Sequence, residues 1–517
     1  MMGWIKIIPS LLVVFAVSAM INRARADFGL NAVVTDHNSI IYSANGINNA
    51  LKEFDKTVRK NSVAAQTDRV REINKLVVDM TYDIAELSRA VVENVKKALD
   101  DRTTPVDEVF LTLGGSYCRM NRYLESNVTI MAYDLNNTVG SAFTSKITQV
   151  LGSMNAAIVN ISYATAQIEV VIGNAMVATK GEPLSKNVLT DSGPLNVTSS
   201  LSTALEQMKV EMSTLTRVIE NLLRDMSQID SYISKFNSTS QSIQQNLNAT
   251  ALSVQKELEN VQANLLKRYY NCQNNVKSEL GNAILKIDGF STHPKLQPLL
   301  DNYTAEYTRI YYNLFNRNDS DVSDFVNFFQ NCTTLMYQLS QHYYEELDSN
   351  MQEINDDVTN AYLERNENKE ACFNRQVKQI FSHLSNFQYN INNCMGQEKN
   401  RLWRFDEVFE KISQLVQYTT QEFVANIVGC SAYSGFANSA VAFSQAEACL
   451  KTNLENMQSF QTIINHQLDG IKPINQVEAL ACRFRLENCM AVYYKTETAA
   501  VEVWRDETEL CASNAVQ

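Results

Sequence analysis

The stretch LSTALEQMKVEMSTLTRVIENLLRDMSQIDSYISKF, residues 201–236, decides the fold class. Leu201, Leu205, Met208, Met212, Leu215, Ile219, Leu222, Met226, Ile229, Ile233 and Phe236 recur at alternating steps of four and three without a miss. A backbone that turns once per 3.6 residues gathers those positions on one face; a strand would scatter them over both. Ser240 and Thr250 are polar members of the same seam, and Ile243, Leu247 and Val254 continue it. The next steps, to Leu258, Val261 and Leu265, make a stutter. Uninterrupted, residues 201–254 form a helix roughly 80 Å long. Such a seam is covered either by helices of its own chain or by a second chain in a parallel coiled coil, and the internal bundle is the expectation. With Leu201 at heptad position d, Asn237 falls at e and Asn248 at b, so Asn248 is expected to face away from the seam.

Working outward, the same period recurs. Val70, Ile73, Val77, Met80, Ile84, Leu87 and Val91 predict one face of a helical stretch over 43–99, broken by Asp101 to Pro105. Phe143, Ile147, Val150, Met154, Ala157, Ile161, Ala164, Ile168, Val171 and Ala175 predict a second face, whose small residues allow close packing. Residues 181–200, with Pro183 and the pair Gly193-Pro194, read as a linker. Past residue 266 the texture changes: nine of the ten cysteines and most Tyr and Phe lie there. Turns are expected at Asp288 to Pro298, Gly429 to Gly435 and Gly470 to Pro473. The 517 residues hold only 7 Pro and 16 Gly, too few for all-β sandwiches, collagen or low-complexity disorder. The expected class is all-α: an elongated bundle with coiled-coil-like heptads, then a disulfide-clamped helical domain.

Residues 1–26 read as a secretory signal peptide. Lys6 precedes an apolar run from Ile7 to Met20, and Ala24-Arg25-Ala26 gives a small-x-small cleavage site before Asp27. About fourteen apolar residues are too few to span a bilayer. Further on, the most apolar window, Ala156 to Ala178, is interrupted by Asn160, Gln167 and Glu169, so no stable membrane insertion is expected. Removing the leader leaves 42 basic against 57 acidic residues, a balance that argues against nucleic acid as a partner. The segments are then 27–180, the linker 181–200, the heptad helix 201–287 and the cysteine-rich region 288–517.

Secretion makes the cysteines disulfide candidates: Cys118, Cys272, Cys332, Cys372, Cys394, Cys430, Cys449, Cys482, Cys489 and Cys511. One precedes residue 270 and nine follow it. Cys118 therefore bridges the halves, links two chains, or a thiol stays free; a bridge to Cys272, its nearest partner in sequence, is the expectation. Cys372 and Cys394, like Cys489 and Cys511, are 22 apart. On one helix that separation is roughly 33 Å, so each cysteine must bond to a facing helix, as in clamped helical hairpins. Nine sequons occur, at Asn127, Asn136, Asn160, Asn196, Asn237, Asn248, Asn302, Asn318 and Asn331. A chain this rich in Asn, Ser and Thr yields about eight by chance, so secretion rather than the count makes glycosylation the expectation.

Glu370-Ala371-Cys372-Phe373, Asn393-Cys394-Met395, Cys430, Cys449-Leu450 and Asn331-Cys332-Thr333 resemble the insect secreted helical family with the tsetse EP-type domain. The resemblance covers about residues 325–515 and leaves Cys118 and the pair Cys482/Cys489 without a counterpart. It implies disulfide-tied amphipathic helices and an extracellular role without catalytic residues.

No enzyme signature emerges from the residues themselves. His37, His293, His342, His383 and His466 form no close pair with metal-ligand spacing, and the six residues between Cys482 and Cys489 are too many for a zinc knuckle. No Gly-x-Ser-x-Gly elbow, phosphate loop or dinucleotide fingerprint occurs, and Glu345-Glu346 and Asp356-Asp357 read as solvated helix faces. No metal or cofactor is expected. Tyr303, Tyr307, Tyr311 and Phe315, spaced by four, form an aromatic stripe: ordinary core, or the wall of a pocket for an apolar ligand. The expected function is a secreted, glycosylated, non-enzymatic binding or structural protein, monomeric or homodimeric, whose partner is an extracellular protein or a small apolar ligand. The alternatives are a lipid or steroid carrier and a helical membrane-active protein.

Overall fold

The computed structural model describes residues 27–30, 34–61, 65, 67–139, 141–180, 184, 186–193, 197–316, 318–363, 369–436 and 439–512. Among them there is no strand. The helices are α1 (His37–Asn61), α2 (Asp68–Asp100), α3 (Val106–Arg122), α4 (Val128–Val139), α5 (Ser141–Thr179), α6 (Lys186–Asp191), α7 (Val197–Ile287), α8 (Gln297–Asn316), α9 (Asn318–Leu363), α10 (Lys369–Cys430), α11 (Ala440–Asp469) and α12 (Ile471–Ala512). One π-helical turn (Tyr123–Asn127) joins α3 to α4. The fold is all-α.

Two compact units share these helices. The first comprises residues 1–237, 355–377 and 506–517; the second comprises 238–354 and 378–505. The division does not follow the linear segments 27–180, 181–200, 201–287 and 288–517, because α7, α9, α10 and α12 each contribute residues to both units. The linker region holds the short helix α6, and the long helix begins at Val197 rather than Leu201. The leader 1–26 lies outside the described residues.

In the first unit α2 packs on α1, α3 and α4, and α5 packs on α3 and α4. The helical stretch expected over 43–99 is two helices. Thr67 starts the second one by accepting the Val70 N–H at 3.3 Å, the capping bond that satisfies an orphan donor. The break at 101–105 forms as the Asp101 carboxylate accepts the N–H groups of Thr103 and Thr104 at 2.9 and 3.0 Å. Those bonds hold the Asp101 carboxyl below its ordinary pKa. Residues 27–29 dock on this corner. The Phe28 N–H donates to the Ala98 carbonyl, the Phe28 ring stacks on Phe110 at 5.4 Å, and Gly29 sits at φ 78° where any Cβ would strike the Thr104 carbonyl.

The α7 seam is buried within a single chain: Leu205, Met208, Met212, Leu215 and Ile219 are 0% exposed. More than the seam is covered, since Ala204, Leu223 and Tyr232 are buried as well. That is the wider apolar face of a bundle helix rather than the two-position stripe of a coiled-coil dimer.

In the second unit four helices form a closed ring. The Ser240–Tyr344 and Gln244–Gln341 contacts show that α7 and α9 are antiparallel, while Asn246–Asn392, Glu257–Lys399 and Arg268–Asp406 show that α7 and α10 are parallel. Pairs His383–Glu497 and Glu398–Arg485 make α10 and α12 antiparallel, and Tyr343–Tyr494 with Glu353–Arg505 makes α9 and α12 parallel. Ile243, Leu247, Met336, Leu384, Phe387 and Met490 fill the centre. The turn expected at Gly470 to Pro473 is the α11–α12 joint: the Gly470 N–H caps α11 at the His466 carbonyl (3.0 Å), and Pro473 lies in the first turn of α12, where its missing N–H costs nothing.

Candidate functional site

The cysteines are the chemically active residues whose placement the sequence left open. Cys394 on α10 bonds to Cys489 on α12, and Cys430 at the end of α10 bonds to Cys449 on α11. Cys372 is also disulfide-bonded, and the side chain of Cys511 lies outside the described residues. Cys372 and Cys394 occupy one helix and Cys394 bonds across to a facing one, as the 22-residue spacing required. The bridge expected between Cys118 and Cys272 does not form. Cys118 is an exposed thiol on α3, and Cys272 is a buried thiol on α7. The odd count on each side of residue 270 is met by thiols, because proximity in sequence says nothing about which helix faces meet. Cys332 and Cys482 are also thiols, both buried.

Cys272 forms the floor of a polar cleft of about 380 Å³ between α7 and α10, lined also by Arg268, Glu410, Ser413, Gln417 and Thr420. Burial pushes its thiol up to about 11, against a weaker opposing bond from Ser413. It is protonated at neutral pH and is a poor nucleophile. Arg268 is held by Asp406 (3.1 Å) and Glu410 (3.4 Å), so the cleft presents no unpaired cation from this residue to an anionic ligand.

The histidines stay apart. His37 Nδ1 meets Asp27 Oδ1 at 2.6 Å in the core of the first unit, and Asp27 also accepts the Val34 N–H. Burial raises the Asp27 carboxyl despite those bonds. His383 pairs with Glu497 and lies against Trp504 at 4.0 Å, while His342 faces Glu346 at 3.5 Å on the surface. Among the described residues no three His, Cys, Asp or Glu side chains are placed to hold a metal ion.

The tyrosine stripe is helix packing. Tyr303 is fully buried and donates to the Leu450 carbonyl of α11 at 2.8 Å. The Tyr307 hydroxyl lies over Gly281 of α7, and the Tyr311 ring lies under Lys277 Nζ at 4.3 Å. The side chain of Phe315 lies outside the described residues. Each of the three described rings is engaged by a neighbouring helix, as ordinary core packing at a four-residue spacing requires.

Among the sequons, Asn127, Asn136, Asn160, Asn237, Asn302 and Asn331 are exposed. Asn248 departs from the heptad reading: it is half-buried, and its amide oxygen accepts from Gln341 of α9. Two helices flank α7 in the second unit, so positions beyond the seam are covered. Asn196 and the side chain of Asn318 lie outside the described residues.

Helix α5 buries Met154, Ala157 and Ile161 on one side and exposes Val159, Tyr163, Val170 and Val177 on the other. Its segment Phe143–Thr179 is long and apolar enough to cross a membrane, with 39% of its most apolar window buried in the chain. It contains the window Ala156 to Ala178, the most apolar of the sequence after the leader, with Asn160, Gln167 and Glu169 as its polar interruptions. Compared with known protein families, with curated proteins and with solved structures, the chain matches none.

Proposed function

We propose that this chain is a secreted, glycosylated protein that acts by binding or as a structural component rather than by catalysis. The observation that carries the reading is the pair of interhelical disulfides, Cys394–Cys489 and Cys430–Cys449, which require an oxidising compartment to persist. The apparent leader, the exposed sequon asparagines, and the resemblance of residues 325–515 to a secreted insect family support it. The helical hairpins then serve as a rigid scaffold for surface contacts. The test is expression of the full chain in insect cells. The expected product appears in the medium with Asp27 at its N-terminus and loses mass on glycosidase treatment. Retention in the cytosol without glycan would overturn the reading. Light scattering, with gels run with and without reductant, shows whether Cys118 links two copies.

A second reading, action at a membrane surface, is favoured by the exposed apolar face of α5. Dye-loaded liposomes that remain intact across pH 5 to 8 would remove it. A glycan on exposed Asn160, beside Val159 and Tyr163, opposes it directly. The carrier alternative needs the Tyr303 and Tyr311 rings free, and both are engaged. A ligand in the lipid extract of the purified protein would restore it.

A further inference from the structure

We propose that Cys332 and Cys482 are oxidised to a further disulfide in the second unit, tying α9 to α12 as Cys394–Cys489 ties α10 to α12. The two cysteines are buried, at 3% and 0% exposure, and their thiols lie close enough to interact. The register of the two helices places them there independently. Tyr343 stacks against Tyr494 at 5.2 Å, and Arg505 reaches Glu353 at 3.2 Å, so a residue on α9 meets the residue 151 or 152 further along on α12. Three turns towards the N-terminus the same parallel packing pairs Cys332 with Cys482, an offset of 150.

The proposal rests on the oxidising compartment argued above, and the chemistry sets when the bond forms. In the folded chain the Cys482 thiol is held well above its ordinary pKa by the neighbouring Cys332 thiol, by burial and by the nearby Glu398 carboxylate, against Arg485. A thiolate is the attacking species, so oxidation belongs to the docking of α9 on α12 or to local opening. One thiolate attacks a sulfur of a small-molecule disulfide such as oxidised glutathione, releasing one thiol. The second thiolate then displaces the other. The protein gains one S–S bond and loses two protons and two electrons; the oxidant takes up both and leaves as two thiols. With this bond in place α12 is covalently tied to both of its ring neighbours, and Cys118 and Cys272 remain as thiols.

The test is a cysteine map of the full chain, with and without prior incubation with oxidised glutathione at pH 8.5 in non-denaturing urea, taken to a constant product distribution. The protein is then unfolded, alkylated without reduction and digested. The expected result in the treated sample is a linked peptide pair containing Cys332 and Cys482. Cys332 and Cys482 found alkylated, bonded to other cysteines, or each carrying glutathione would overturn the proposal. The untreated sample, recovered from medium or from cells, separates the two ideas. Alkylated Cys394 and Cys489 there would count against the oxidising compartment, whereas the treated sample alone decides the Cys332–Cys482 pair.

Discussion

The two units solve the same problem with different materials. The first is held by aliphatic, Met and Ala ridges, with Leu201 to Met226 of α7 and Phe143 to Ala175 of α5 buried at regular intervals. Its buried polar groups include the pairs Asp225 with Lys369, Tyr232 with Asn355, and Tyr362 with Gln228. The second unit holds the two mapped disulfides, the stack of Phe423 on Phe460 at 4.4 Å, and a buried carboxylate, Glu398, gripped by Arg485; the first has its own stack, Phe28 on Phe110, and the disulfide-bonded Cys372. Covalent bonds and buried ion pairs fix the register of the helices that they join. The cross-linked ring trades generic packing for fixed register.

That contrast can be broken at several levels. The largest effect is expected from alkali. Burial holds the hydroxyls of Tyr117, Tyr123, Tyr232 and Tyr362 in the first unit, and Tyr303, Tyr343 and Tyr344 in the second, above the ordinary tyrosine value. A group whose folded pKa is raised binds its proton more tightly in the native state, so stability is retained below the unfolded value of about 10 and falls as pH rises beyond it. The buried thiols Cys272 and Cys482 act in the same sense in the second unit, so both units should lose helicity as tyrosinate absorbance rises beyond a pH of about 10. Helicity that holds through that rise would overturn the expectation.

Next comes Glu398→Ala, which removes the buried carboxylate that Arg485 grips, leaves it Glu478, and is expected to cost about 2–3 kcal/mol, read as a lower denaturant midpoint. Asp225→Ala tests the corresponding pair in the first unit, and a much smaller loss there would show that only the ring depends on a buried ion pair. Replacing Cys394 and Cys489 together by Ser is expected to cost about 2–4 kcal/mol and to leave the first unit's helix signal unchanged. Equal destabilisation of both units in segment-resolved hydrogen exchange would refute the separation. The smallest effect is Tyr303→Phe, which leaves the Leu450 carbonyl without this donor and should cost about 1 kcal/mol with no loss of helix content.

Legibility in the sequence followed the same divide. The seams of α5, α7 and α2 were readable from period alone, with only Val171, Ile233 and Leu87 among their apolar members half-buried rather than buried. The gap before Thr67 was missed because its cap is one hydroxyl in a polar segment. The 22-residue spacing foretold that Cys394 must bond to another helix, yet not to which cysteine. Nor could it show that Cys118 and Cys272 point to different surroundings, or that Asn248 would meet Gln341.

Taken alone, the sequence determined the helical class, the faces of its long helices and the turn at Gly470, because these depend on neighbours within a few residues. The tertiary structure decided the partition of α7 between two units, the pairing of Cys394 with Cys489, the engagement of Tyr303 by α11 and the approach of Cys332 to Cys482. Each of those joins residues far apart in the chain, and periodicity carries no information about which face of which helix will cover another.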